Sequence, residues 1–419
     1  MKKAWHQNPF LKNIGILVSG TLFAQGIVAL VLPVLTRLYT PEHFGVLAVY
    51  AALIGVTSTV SCLRFNIAIP LPEHDSEAAA LCLLAVASVC GFTLILGCLI
   101  GFRPEEFTTV LSQPTLRPYL WMLPAGLFFA GLYTVFQYWA SRKKRFGLIT
   151  RTRITRAILG SSIQLGAGAA SQHSFGLLLG HMAYSGFGVV GLLRDTWKQD
   201  KDTFKALNKN KVVTAARRYR RFPLIATPES LFDAVNQHVP MIIIASMADE
   251  TAGLLMLAIR VIGMPVGLLG GSISQVYLAE APAKYRSGEL GRFTLNGVRL
   301  LLKTGAPVLI GLALIAPFAF PVIFGTEWAR SGTMVAWLAP MFILQFAASP
   351  VSTILHVTRR QVFALCLQAL GATMTIGAIF GALVLAPEKI IEVYAVTSAL
   401  FYAFYLAAIV FVAYRSEKP

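Results

Sequence analysis

Charged and amide side chains interrupt an otherwise apolar segment near the middle of the chain. The stretch Arg217–Met247 reads RRYRRFPLIATPESLFDAVNQHVPMIIIASM. Four arginines (Arg217, Arg218, Arg220, Arg221) lead into a segment carrying Glu229, Asp233, Asn236, Gln237 and His238 before Pro240. On a helix, Glu229, Asp233, Asn236, Gln237 and Pro240 share an arc of about 100°, and His238 points the opposite way. Charge within a bilayer-length segment is costly and normally faces protein or water rather than lipid. This polar stripe is therefore expected to line water or protein. Thr227–Pro228–Glu229 also reads as a helix start, with Thr as cap, Pro in the first position and Glu at the positive dipole end. Glu229 has both readings; Asp233, one turn deeper, is harder to assign to the interface.

A second charge, Arg260, sits in the next apolar run, followed near one-turn spacing by Gly263, Gly267 and Gly271. Small residues allow membrane helices to approach closely, so that side is expected to face protein. Arg260 then points into a bundle or cavity, where it meets an anionic ligand or pairs with Asp233 or Glu229. On this reading Arg260→Ala costs more than Arg142→Ala. Thr21 and Gln25 lie one turn apart in the first apolar run and are candidate cavity residues, as is Arg64 at the inner end of the second. Lys303 and Arg156 are read as snorkelling to the interface. His181 is read as a packed, hydrogen-bonded histidine or a proton relay.

Composition sets the frame for these residues. Of 419 residues, 56% are hydrophobic and 13% charged, against about 25% charged in a soluble domain. The formal charge of +17 does not indicate nucleic acid, because no segment resembles a soluble basic domain. Five cysteines lie in or beside apolar runs with no C-x-x-C pair or His/Cys cluster, so no zinc site is expected. No triad, P-loop or ATP-binding motif is present. The chain reads as a non-enzyme without cofactor, driven by an ion gradient or its substrate's own gradient. The first apolar run is too long for a signal peptide and is read as a retained span.

Apolar runs of roughly 20 residues mark spanning helices. Twelve appear, at 14–35, 44–62, 77–101, 117–140, 154–172, 174–193, 222–247, 251–277, 297–324, 332–356, 361–386 and 390–414. Twenty-eight Lys and Arg fall in loops on the N-terminal side and five in the opposite loops. That asymmetry places both termini in the cytoplasm. The expected layout is an all-α integral membrane protein of about twelve transmembrane helices. Residues 1–193 form an N-terminal six-helix lobe, 194–221 a basic cytoplasmic linker and 222–419 a C-terminal six-helix lobe. The linker holds ten basic residues against Asp195, Asp200 and Asp202. It reads as lying along the anionic inner leaflet, or as a phosphate-binding loop.

The chain also repeats itself. VLPVLTRLYTPEHFGVLAVYAAL, from near residue 31, resembles HVPMIIIASMADETAGLLMLAIRV, from near residue 238. Pro33 aligns with Pro240 and Gly45 with Gly253, an offset of 207–208 residues. The two six-helix bundles are thus expected to be related by pseudo-two-fold symmetry.

The stretches Leu32–Glu73 and Tyr219–Tyr277 carry a family likeness. They resemble the Wzx-type oligosaccharide flippases, polysaccharide biosynthesis proteins of the multidrug/oligosaccharidyl-lipid/polysaccharide exporter superfamily. The resemblance implies two six-helix bundles around a central cavity. It also implies an undecaprenyl-diphosphate-linked oligosaccharide substrate, flipped across the bacterial inner membrane for O-antigen, capsule or exopolysaccharide synthesis. Membrane lipids, a polysaccharide polymerase and a chain-length regulator are the implied partners, with no nucleic acid. Arg260 and Arg64 match positions where the family carries basic residues. Asp233 and Glu229 stand where proton or sodium coupling could occur, although such sequences often hold uncharged polar residues there. The competing readings are a cation-coupled multidrug exporter, a peptidoglycan-precursor flippase, and a membrane glycosyltransferase or ligase. The exporter commonly carries an acid in its first span, where this chain has Thr21 and Gln25. The precursor flippase is longer, and the enzyme needs a larger outer loop than 102–116.

Overall fold

A computed structural model describes residues 9–111, 114–171, 173–247, 249–358 and 360–416. The chain packs as two compact units, Met1–Ala234 and Val235–Pro419. Secondary structure among the described residues is helical, with no strand. Unit one contains α1 (Pro9–Leu38), α2 (Pro41–Ser61), the short α3 (Phe65–Ala68), α4 (Asp75–Phe102), the short α5 (Pro104–Leu111), α6 (Met122–Arg142) and α7 (Phe146–Ala170). It continues through α8 (Ser174–Gly186), α9 (Val189–Lys205), α10 (Lys209–Arg218), a π-helical turn at Phe222–Ala226 and the first half of α11 (Thr227–Ala245). Unit two holds the rest of α11, then α12 (Asp249–Arg286), α13 (Leu290–Ile323), α14 (Ala329–Ala348), the short α15 (Ile354–Val357), α16 (Gln361–Leu385) and α17 (Ile390–Arg415).

Nine helical stretches among the described residues are long and apolar enough to cross a membrane. The other three expected spans, 117–140, 154–172 and 222–247, correspond to α6, α7 and α11. These form helices of 21, 25 and 19 residues. Two of them carry several charged and amide side chains: Arg151, Arg153, Arg156 and Gln164 on α7, and Glu229, Asp233, Asn236 and Gln237 on α11. The sixth expected span, 174–193, is two helices that meet at Phe187–Gly188, and α9 continues twelve residues past its expected end. Residues 194–221 are accordingly mostly helical.

The repeat is visible locally. Pro33 lies five residues before the end of α1, and Pro240 five before the end of α11. Gly45 and Gly253 are each the fifth residue of the helix that follows. Both of these helices carry acid in the first turn, Glu42 in α2 and Asp249 and Glu250 in α12, where it complements the positive end of the dipole. Ahead of α2, the Thr40 backbone N–H donates to His43 Nδ1 at 3.3 Å, satisfying one of the amides that a helix start leaves open.

An ionic network clasps the α6–α7 junction. The connection is only Lys143–Arg145, with Lys144 at a left-handed φ of 55°. Arg145 reaches Asp195 at 2.8 Å and Asp200 at 2.7 Å, both on α9. Asp200 is buried and accepts the Trp139 indole N–H at 2.9 Å. Lys143 bonds Asp75 at 2.6 Å, at the start of α4. Arg142 bonds Asp75 at 3.0 Å and donates to the carbonyls of Ile69, Pro72 and Glu73. Burial works against the Arg145 cation, but its hydrogen bonds and attraction to Asp200 and Asp195 outweigh that and hold its pKa above the ordinary arginine value.

Candidate functional site

In unit one, the side chains suited to holding an anion gather on α7. Arg153, Arg156, Gly160 and Gln164 follow i, i+3, i+7, i+11 spacing and share one helix face. Glycines let neighbouring helices close on that face. A Cβ on Gly20 would run into the Thr150 side chain, so α1 lies against α7 there. That approach sets Thr21 beside Arg153, whose Nη1 donates to Thr21 Oγ1 at 2.7 Å. Gly160 and Gly180 face each other across α7 and α8: a Cβ on either would come within 2.9 Å or 2.7 Å of the other's carbonyl oxygen. The same crossing brings Tyr184 onto Gly160.

Tyr184 thereby forms one wall around Arg156. The guanidinium carbon lies 5.1 Å from the Tyr184 ring centroid and 4.3 Å from that of Tyr133 on α6. Its Nη1 donates to the Ser185 carbonyl at 3.4 Å, while Nε is buried with no hydrogen-bond partner. The expectation that Arg156 snorkels is corrected: its head is held by two rings and a carbonyl. Cation–π contacts contribute about 0.5–2 kcal/mol each, and a buried donor left unpaired is a feature that functional sites retain. Arg153, counted among loop residues from the sequence, lies in the second turn of α7. The arginine spacing within TRTRITR was the available signal for both.

The remaining candidates are distributed. Gln25, one turn beyond Thr21 on α1, is half-buried. Arg64 follows α2 in a left-handed turn, with φ 57° after Leu63 at φ 47°, a conformation that costs about 1–3 kcal/mol per residue. Arg64 Nε and the neighbouring Asn66 Oδ1 are buried with no hydrogen-bond partner. His181 is half-buried, edge-on to Tyr50 at 5.8 Å.

On α11, Glu229 and Asp233 are half-buried, Asn236 is buried and Gln237 exposed. The stripe is therefore not uniform in its exposure. The helix-start reading of Thr227–Pro228–Glu229 is also corrected. Thr227 has helical φ and ψ and continues from the π-helical turn, its hydroxyl donating back to the Phe222 carbonyl at 3.3 Å. Glu229 therefore does not sit at a free helix end. Glu229 and Asp233 belong to unit one, Asn236, Gln237 and Arg260 to unit two.

Arg260 is half-buried on α12, two residues after the buried run Ala252–Ala258. Gly263 and Gly267 beyond it do not mediate close packing. A Cβ on Gly263 would make only ordinary contact with Phe342 at 3.7 Å, and one on Gly267 would meet nothing within 4 Å. The surroundings of Gly271 lie outside the described residues. The close approaches in unit two include Gly291 against Tyr414, Gly305 against Phe346, Gly332 against the Ala316 carbonyl and Gly371 against Phe401. Among the described residues no cluster of His, Cys, Asp and Glu could hold a metal ion.

The arrangement on α7 is one of cations held by a hydroxyl, two rings and a carbonyl. The model of a family described as polysaccharide biosynthesis protein matches residues 34–333. No curated protein matches the sequence. Among solved structures, the lipid II flippase MurJ in an inward closed conformation superposes with a TM-score of 0.69 at 12% identity, covering 94% of this chain and 87% of that one. An inward-facing multidrug resistance MATE family transporter of the MOP superfamily gives a TM-score of 0.65 at 12% identity, covering 97% and 98%. A Vibrio cholerae MATE transporter gives 0.62 at 11% identity, covering 97% of each chain. At these identities the likeness is one of fold, and it makes this chain an all-helical, multi-pass membrane protein.

Proposed function

The chain belongs to the polysaccharide biosynthesis protein family, and on that premise we propose that it is a flippase for lipid-linked oligosaccharide. The substrate is an undecaprenyl-diphosphate-linked repeat unit, carried from the cytoplasmic to the periplasmic leaflet of the inner membrane, with both termini cytoplasmic. The observation that carries this reading is the pair of arginines on α7, Arg153 bonded to Thr21 and Arg156 between two tyrosines. A diphosphate head needs such cations, while the lipid tail stays in the bilayer. Arg64 is proposed to add to the cations of unit one, and Arg260 to be the substrate-binding cation of unit two. Asn236, Gln237, Gln25 and Thr21 supply hydrogen bonds to sugar hydroxyls. Asp233 and Glu229 are the proposed proton- or sodium-coupling groups, and a polymerase and a chain-length regulator the proposed partners. The exporter reading is disfavoured at Thr21: the first helix presents a hydroxyl engaged by a cation, a poor environment for a cationic drug.

The test is a strain lacking the chain. Loss of surface polysaccharide, with the intact lipid-linked unit accumulating on the cytoplasmic face, is expected. Unchanged polymer with raised drug accumulation would favour the exporter. Lost polymer with an already translocated lipid-linked unit would move the assignment to polymerase or ligase chemistry.

A further inference from the structure

The helix pair α9–α10 presents a cationic outer face whose inner side is already neutralised. Residues 194–221 hold ten basic residues and three acids. Two of the acids, Asp195 and Asp200, turn toward Arg145 of the α6–α7 junction. Arg218, on α10, bonds Glu77 of α4 at 3.0 Å. The other nine basic side chains are all exposed, with Asp202 the remaining acid. Asn208 caps α10 by accepting the Lys211 backbone N–H at 2.9 Å. The surface is therefore a folded, anchored platform.

Its apolar residues lie in a definite order. Along one face of α9, Val190, Leu193 and Trp197 are 65%, 37% and 70% exposed. Lys201 and Lys205 continue the same face one and two turns further on, both exposed. Arg194 and Lys198 flank Trp197 and are exposed too. Aliphatic, then aromatic, then basic is the sequence of environments from acyl chain through interface to headgroup. An acidic protein would match the charge but give no reason for the aliphatic residues and Trp197 to lie in line with the lysines. We infer that α9 and α10 form a docking surface for anionic phospholipid headgroups. Trp197 sits at interfacial depth, and Arg194, Lys198 and Lys201 gather phosphates around it. This requires only that the chain spans the membrane, not what it carries.

The experiment uses the full chain in nanodiscs of mixed phosphatidylcholine and phosphatidylglycerol, with bromine on the acyl chains of one lipid or the other. The chain has six tryptophans, so the Trp197 signal is taken as the difference between wild type and Trp197→Phe. Brominated phosphatidylglycerol is expected to quench that component about twofold more than brominated phosphatidylcholine at equal mole fraction, and added salt to reduce the excess. The combined variant Lys198→Gln, Lys201→Gln, Lys205→Gln should lose the preference with an unchanged thermal midpoint. Equal quenching by the two lipids overturns the inference, as does a preference that persists in the combined variant. Retention of an acidic protein that the variant releases, without lipid preference, would make the surface a protein-docking face and likewise overturn it.

Discussion

Arg145 and Arg156 lie eleven residues apart around α7, and unit one treats them in opposite ways. Arg145 stands before the helix and is bonded to two carboxylates, one of them buried. Arg156 lies within the helix, held by two rings and one carbonyl, with a buried Nε that has no hydrogen-bond partner. A buried cation next to carboxylates is a fastening, because its charge is neutralised and its geometry fixed. A cation held mainly by aromatic faces keeps its charge available to an incoming anion. The first arrangement ties α6, α7 and α9 together; the second is the proposed recognition point for a phosphate-bearing head.

The contrast breaks most sharply at Asp200. Asp200→Ala removes the common partner of Arg145, Lys143 and Trp139, leaving Arg145 with Asp195 alone and the buried Trp139 indole N–H without its acceptor. A loss of about 3–5 kcal/mol is expected, read as a collapse of folded protein recovered in detergent and a lowered thermal midpoint. If Asp200→Ala melts like wild type, the clasp is not holding the junction.

Arg156 should behave in the opposite manner. Arg156→Ala forfeits cation–π contacts of about 0.5–2 kcal/mol each but strands no carboxylate, so its thermal midpoint should fall less than that of Asp200→Ala. Lipid-linked oligosaccharide translocation should fall by about tenfold or more, the worth of one charge-assisted contact. Arg156→Lys keeps the charge but not the planar fork, and should recover only part of the activity. Wild-type translocation in Arg156→Ala would make the cage a packing device.

A third comparison concerns Arg260. The sequence suggested judging it against Arg142, but Arg142 is mostly buried and bonds Asp75 and three carbonyls. Arg142→Ala is therefore expected to lower the yield of folded protein. The exposed Arg151 on α7 is the fitting reference. Arg260→Ala should reduce translocation severalfold at a normal midpoint, with Arg151→Ala unaffected in both. Equal activity of these two variants removes Arg260 from the proposed substrate-binding residues.

These residues show how much was legible in the sequence. The long helices and the repeated proline and glycine positions were readable, because bilayer thickness imposes run lengths of roughly 20 apolar residues. The basic residues near 150 were not, because counting charge assigns any arginine beside an apolar run to a loop. Here the three-residue junction with Lys144 at positive φ starts α7 eight residues early. The walls around Arg156 come from helices on either side of α7 in the chain, and no local pattern announces that contact. Thr227 misled for a related reason: Thr–Pro–Glu is a capping signature, but the π-helical turn before it supplies continuous backbone. The glycines after Arg260 matched a packing motif, and Gly267 faces open space instead. Spacing places small residues on a face but does not provide the partner helix.

The smallest effect is expected where an ion pair lies in the open, away from any buried group. Lys284 donates to Glu289 at 2.6 Å just before α13, with both side chains well exposed. The hydrogen bond from Lys284 holds the Glu289 carboxyl below its ordinary range. A lowered carboxylate pKa stabilises the fold above the unfolded-state value, and that contribution is lost as pH falls through the folded value. Solvent screens an exposed pair, so Glu289→Gln should leave the thermal midpoint unchanged at neutral pH and alter its acid limb only slightly. A midpoint drop approaching that of Asp200→Ala would show that exposure is a poor guide to the worth of a charge pair here, and would undo the distinction drawn between Arg145 and Arg156.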